Sequence, residues 1–135
     1  MSGMFVSGDD VVREQLDWGS LAWCCRPAGT GMKNLVVIEV TLTPGGGHAF
    51  HRHLRQEEVI YCVEGQVEQW LDQQHRVLKP GDAIVIPVGV VHASFNTGAA
   101  NARLLAILGP SIDDQNGYEV DEVAASEPWK SLRGG

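Results

Sequence analysis

The stretch Gly45–Asn96 decides the fold: GGGHAFHRHLRQEEVIYCVEGQVEQWLDQQHRVLKPGDAIVIPVGVVHASFN. Short runs rich in Val, Ile and aromatic residues alternate in it with turn residues, the pattern of strands joined by tight loops. Phe50–His53 reads as a short strand after the Pro44-Gly45-Gly46-Gly47 turn. Glu58–Val63 and Gln66–Leu71 read as the two arms of a hairpin around Glu64-Gly65. Asp72-Gln73-Gln74 leads into His75–Leu78, and Pro80-Gly81 suits the central positions of a type II turn. Ala83–Ile86 and Val91–Asn96 follow, separated by Pro87-Val88-Gly89.

Working outward, Asn34–Thr43 and Arg103–Leu108 are further strands, and Leu21–Cys25 reads as an edge strand. Eight or more short strands, with no amphipathic helix before Gly109-Pro110, predict an all-β sandwich or barrel. The whole chain, 1–135, reads as one domain with its barrel core at about 34–109. Residues 111–135 form an acidic, mixed extension, either a strap over the barrel or a loose tail with a short helix around Val123–Ser126. Trp129 and Tyr118 argue that part of it packs, and Gly134-Gly135 are expected to be mobile.

Composition narrows the function. Of 135 residues 44% are apolar and 20% charged, so the chain can bury a core. Its net charge is −7, with no basic stripe, which speaks against nucleic acid and against anionic lipid as partners. No apolar run is long enough for a membrane span. Met1–Asp10 has no apolar leader segment, and three cysteines make no disulfide framework, so the cytoplasm is the expected compartment.

All five histidines lie between His48 and His92. His51 and His53 are two apart, and on a strand such residues share a face. Glu58 follows across a turn, and His92 opens a later strand. Three imidazoles and a carboxylate converging inside a barrel make a site for one divalent metal ion, with Fe, Mn, Ni, Zn, Cu and Co all open on ligand type.

Gly45-x5-His51-x-His53-x4-Glu58-x6-Gly65 resembles the first cupin motif, and Gly81-x5-Pro87-x-Gly89-x2-His92-x3-Asn96 resembles the second. Only Gln66–Pro80 lies between them, as in a compact single-domain cupin. Ten specified positions agree, and at roughly 5–7% chance each an accidental match is negligible. The resemblance implies a double-stranded β-helix, or jelly-roll, with a short N-terminal strand and a C-terminal extension. It implies metal ligands at His51, His53, Glu58 and His92. It does not imply a substrate, since cupins include dioxygenases, decarboxylases, isomerases, cyclases, sugar-binding regulators and storage proteins.

Four protein ligands leave up to two positions free on an octahedral ion, enough for a chelating substrate or for substrate and O₂. A small metalloenzyme acting on a small oxygenated metabolite is therefore expected, either dioxygenase-like or a redox-neutral isomerase or lyase. A non-catalytic sugar or metabolite binder and a metal-stabilised structural protein are the alternatives. In the hairpin register, Ile60 opposes Gln69, and Glu58, Ile60, Cys62, Val67, Gln69 and Leu71 share the metal side. Gln69 would then orient substrate or a metal-bound water, while Glu57 either points away or acts as acid and base at the mouth. Arg55 could meet an anionic substrate at the rim, or only solvent. His48, in the glycine-rich turn, is expected as an exposed loop histidine, with an alternative ligand or proton shuttle as the other reading; His75 is expected at the surface, and Cys24 and Cys25 as buried small residues. Val59, Tyr61 and Trp70 would form an outward apolar patch, which suggests a homodimer.

Overall fold

The computed structural model describes residues 2–133 and contains two antiparallel sheets. The strands are β1 (Val12–Leu16), β2 (Gly19–Cys25), β3 (Val36–Leu42), β4 (Gly47–Arg52), β5 (Glu57–Glu64) and β6 (Val67–Leu71). They continue as β7 (Gln74–Leu78), β8 (Ala83–Ile86), β9 (His92–Phe95), β10 (Ala102–Gly109) and β11 (Asp121–Glu122). One sheet has the order β1-β2-β3-β10-β5-β8 and the other β11-β4-β9-β6-β7. The pairs β3·β10, β4·β9, β5·β8 and β6·β7 are nested one inside the next, which is the antiparallel winding of a jelly-roll. A single short helix, α1 (Trp129–Leu132), closes the described chain. Pro27–Thr30 is only a turn, since Ala28 and Gly29 leave the helical region. No helix among the described residues is long and apolar enough to cross a membrane.

The strands expected from 34–109 are present, but one pairing differs. β5 and β6 do not form a hairpin: β5 lies between β10 and β8, while β6 lies between β7 and β9 in the opposite sheet. The chain changes sheets at Glu64-Gly65. Gly65 has φ +73, and a Cβ there would stand 2.6 Å from the Asn101 carbonyl oxygen. Only glycine makes that corner. The inner face still reads as expected, with Glu58, Ile60, Cys62, Val67 and Gln69 buried, because both strands turn alternate residues into the same interior. Pro80-Gly81 does form its turn: Gly81 has φ +93 and the Asp82 N–H donates to the Lys79 carbonyl at 2.8 Å.

Three further expectations are corrected. β2 is not an edge strand, because β1 covers it along Val12–Leu16. The helix falls at Trp129–Leu132, whereas Val123–Ser126 is a turn closed by the Ser126 N–H on the Val123 carbonyl. The outward patch is divided: Val59 and Tyr61 are exposed on the six-stranded sheet, whereas Trp70 is buried on the five-stranded one. Gly134-Gly135, expected to be mobile, lie outside the described residues.

Two apolar clusters result. Ile38, Leu42, Ile60, Cys62, Leu104 and Leu108 belong to the core between the sheets. Phe50, Trp70, Val91 and Ala93 form a second cluster on the outer face of the five-stranded sheet, under Val123, Ala124, Trp129 and Leu132. The C-terminal extension is thus a strap. Its first strand, β11, extends that sheet by pairing with β4.

Candidate metal centre

β4 and β9 run side by side and bring His51 opposite His92. His53, just past β4, and Glu58, near the start of β5, complete the group. His51, His53, Glu58 and His92 are all buried, at 1–6% exposure. One ligating nitrogen from each of the three imidazoles lies within 4.8 Å of the others. Glu58 Oε1 stands 3.2 Å from His53 Nε2 and 2.8 Å from His92 Nε2. These distances are short, yet none of the three atoms has a hydrogen bond of proper geometry. Buried polar atoms without partners are costly. Here they face one another around a common point, an arrangement that a cation would satisfy.

The far side of each ring is fixed. His51 Nδ1 lies 2.7 Å from the Ala49 carbonyl, His92 Nδ1 3.0 Å from that of Val90, and His53 Nδ1 2.7 Å from that of Glu119. A carbonyl only accepts, so each Nδ1 carries the proton and each Nε2 keeps its lone pair. That is the tautomer a metal requires, set by outer partners.

Burial holds His51 well below the ordinary imidazole value, and the neighbouring His48 and His92 push it the same way. Burial also opposes ionisation of Glu58, but positive charge at His53 and His92, a role a bound cation would take over, outweighs it and holds the carboxyl down at about 2. Burial lowers His53, yet Glu58 more than compensates and its value is raised. A neutral His51 and an ionised Glu58 are ready ligands. The donor set of three imidazoles and one carboxylate fits a divalent first-row metal.

The group opens on a cavity between the sheets, lined by Trp18, Ile38, Val40, Leu104 and Tyr118 with His48, His51, Glu58 and Ser94. Its free interior is narrow, about 60 Å³, room for a few waters. It suits a small occupant.

His48 is at this cavity rather than at the surface. β4 and β9 shift register between His48 and His51, a β-bulge that resets the alternation. His48 therefore stacks on His51 at 3.6 Å, with Trp18 on its other side and Glu122 3.2 Å from its Nε2. Without the bulge, residues three apart would face opposite ways, and nothing in the sequence announces it. Gln69 points inward but does not line this cavity. It accepts from Ser94 Oγ at 2.6 Å and donates to the Trp70 carbonyl at 3.1 Å. Glu57 is exposed on the outer side of β5. Arg55 is not free at the rim: Glu119 holds it through two contacts of 2.8 Å. His75 is exposed against Trp70. Cys24 and Cys25 are half-buried, and Cys62 is buried in the core.

The Cupin domain family model matches residues 38–108. This chain is a cupin. SchB of Streptomyces halstedii is 31% identical to it over 105 residues, 78% of this chain and 76% of SchB. Quercetin 2,3-dioxygenase of Bacillus subtilis is 34% identical over 62 residues, 46% of this chain but only 18% of that protein. Among solved structures, the polyketide cyclase RemF of Streptomyces resistomycificus superposes with a TM-score of 0.75 at 24% identity, covering 97% of this cupin and 93% of RemF. The RemF likeness concerns the fold. The family match ends at residue 108, so Tyr118, Glu119 and Glu122 lie beyond it.

Proposed function

We propose that this cupin is a metal-dependent enzyme that binds one divalent ion through His51, His53, Glu58 and His92. Its substrate on this reading is a small, flat, largely apolar molecule with two neighbouring oxygens, such as an enolised 1,3-dicarbonyl. The observation that carries the proposal is the convergence of unpartnered Nε2 and Oε1 atoms on a narrow, apolar-walled cavity. When bound, the ion supplies a Lewis acid with free positions for a chelating oxygen pair. Trp18, Ile38, Val40 and Leu104 exclude water from the same space and hold the substrate's apolar part. His48 is the nearest imidazole outside the ligand set. Its Nε2 is engaged with Glu122, which leaves Nδ1 as the basic atom for moving a proton. Gln69 and Glu57 take no part on this reading.

Redox-neutral chemistry on an oxygenated carbon skeleton is our first reading, because an ion held by three imidazoles and a carboxylate can act as a Lewis acid without any redox partner. Dioxygenation is the second reading, favoured by the partial match to a quercetin 2,3-dioxygenase. The free thiols are consistent with a reducing, cytoplasmic setting. We also propose a homodimer through Val59, Tyr61, Val63 and Val85 on the six-stranded sheet. Tyr61→Lys should then convert a dimeric mass in solution to a monomeric one, and a wild-type monomer would end that proposal.

Metal analysis of untagged protein tests the centre. Wild type should hold about one ion per chain, while His53→Ala and His92→Ala should lose most of it and stay folded. Full occupancy in both variants would sink the assignment. With metal loaded, acetylacetone should show a shifted absorption band and faster deuterium uptake between its carbonyls, alike under argon and air. Turnover only in air would select the dioxygenase reading.

A further inference from the structure

The three ligand imidazoles are not held in the same way. The Nδ1 acceptors of His51 and His92 are carbonyls two residues earlier in the sequence, at Ala49 and Val90. The acceptor for His53 is the Glu119 carbonyl, 66 residues away. A local carbonyl comes with the backbone next to the histidine, whereas a remote one must be held in place.

One side chain makes most of that connection. Gln56 lies between His53 and Glu58 and is 1% exposed. Its Nε2 donates to the Pro110 carbonyl at 2.8 Å and to the Gly117 carbonyl at 2.7 Å. Its Oε1 accepts the Glu119 N–H at 3.4 Å. Both amide protons and the amide oxygen are thus used on one loop. Asp113 tightens the same loop from within, its Oδ1 accepting the Gln115 N–H at 2.8 Å and the Gly117 N–H at 3.0 Å. The Arg55–Glu119 ion pair grips it too, but from the exposed side, where such pairs contribute little.

We infer that Gln56 is the positioning residue of the metal centre: it pins loop 110–119 so that the Glu119 carbonyl holds His53 with its proton on Nδ1 and its Nε2 free. The consequence for metal rests on the proposed centre, but the hydrogen-bond chain stands without it. The same pinning sets Tyr118, whose ring is 5.3 Å from that of His53, in the cavity wall. The loop lies outside the matched family region, residues 38–108.

Metal-free full-length protein, labelled with ¹⁵N at histidine, gives the test, at a pH where every imidazole is neutral. Long-range proton–nitrogen spectra of wild type should show His51, His53 and His92 protonated on Nδ1. In Gln56→Met, which keeps the volume, and in Gln56→Glu, which keeps the shape, the His53 signals should move toward mixed tautomers. Those of His51 and His92 should stay. Arg55→Ala should leave all three unchanged. Zinc affinity of the two Gln56 variants should fall about 10- to 100-fold. An unaltered His53 tautomer in a folded Gln56 variant would overturn the inference. A wild type that binds no zinc, with His53 still disturbed by Gln56→Met, would reject the metal reading and leave the positioning role intact.

Discussion

The outer faces of the two sheets differ in what covers them. On the six-stranded sheet Val59, Tyr61, Val63 and Val85 are 37–69% exposed. On the five-stranded sheet Phe50, Trp70, Val91 and Ala93 are at most 6% exposed. Apart from Val91, which precedes β9, both sets sit on strands with their side chains turned away from the barrel. The difference comes from the path of the C-terminal strap, whose described residues cross one face and leave the other bare. An outward apolar residue is therefore either part of a second core or part of a free surface, and only its distant neighbours decide which.

The sharpest way to break that comparison is one large truncation on each face. Trp70 packs edge-on to Phe50 at 5.4 Å, and its indole N–H donates to Glu68 at 2.6 Å. Trp70→Ala should cost about 3–5 kcal/mol. Tyr61→Ala, on the bare face of a monomer, should cost about 0.5 kcal/mol or less. Urea unfolding of both variants at low concentration measures the difference. Equal losses would show that the two faces are not distinct.

The same contrast shows what the sequence discloses. Alternation along Glu58–Cys62 and Val67–Gln69 places the inner face correctly, because side-chain period depends only on the strand itself. The partner of each strand does not follow from it. A short loop with glycine looks alike whether it closes a hairpin or carries the chain to the opposite sheet, and Glu64-Gly65 does the second. The convergence of His51, His53, Glu58 and His92 was legible from spacing and motif. The stacking of His48 on His51 was not, since the bulge in β4 leaves no mark in composition. Gln56 was not either, because its partners at Pro110, Gly117 and Glu119 are 54 to 63 residues away. β1 escaped because Val12-Arg13-Glu14-Gln15-Leu16 is a mostly polar, exposed edge strand with little apolar alternation.

A smaller change tests the cover instead of what it covers. Trp129 leans on Phe50 at 5.8 Å and is half-buried, so Trp129→Ala gives up only part of a full aromatic burial. A loss of about 1–2 kcal/mol is expected. If the strap is what separates the two faces, this variant should also self-associate more readily at high concentration, because Phe50 and Trp70 gain exposure. Light scattering reads that directly, and a variant as monodisperse as wild type would mean that the five-stranded face is buried without the strap's help.

The smallest effect concerns the strap's last anchor. Arg133 pairs with Glu68 at 2.5 Å and lies over the Phe95 ring at 3.7 Å. The pair is partly exposed, so it contributes no more than about 1 kcal/mol. Arg133, first of all, holds the Glu68 carboxyl below its ordinary value of 4.5. A group whose value is depressed on folding contributes its full stability above the unfolded value and loses it as pH falls through the folded one. Glu68→Gln keeps an oxygen for the Trp70 indole but removes the charge. Its urea midpoint should therefore lie slightly below that of wild type at neutral pH, and the two should converge in acid, below the usual carboxylate range. A gap that stays constant with pH would mean that Arg133 is held by Phe95 alone, and that the strap's end is fixed by ring contact rather than charge.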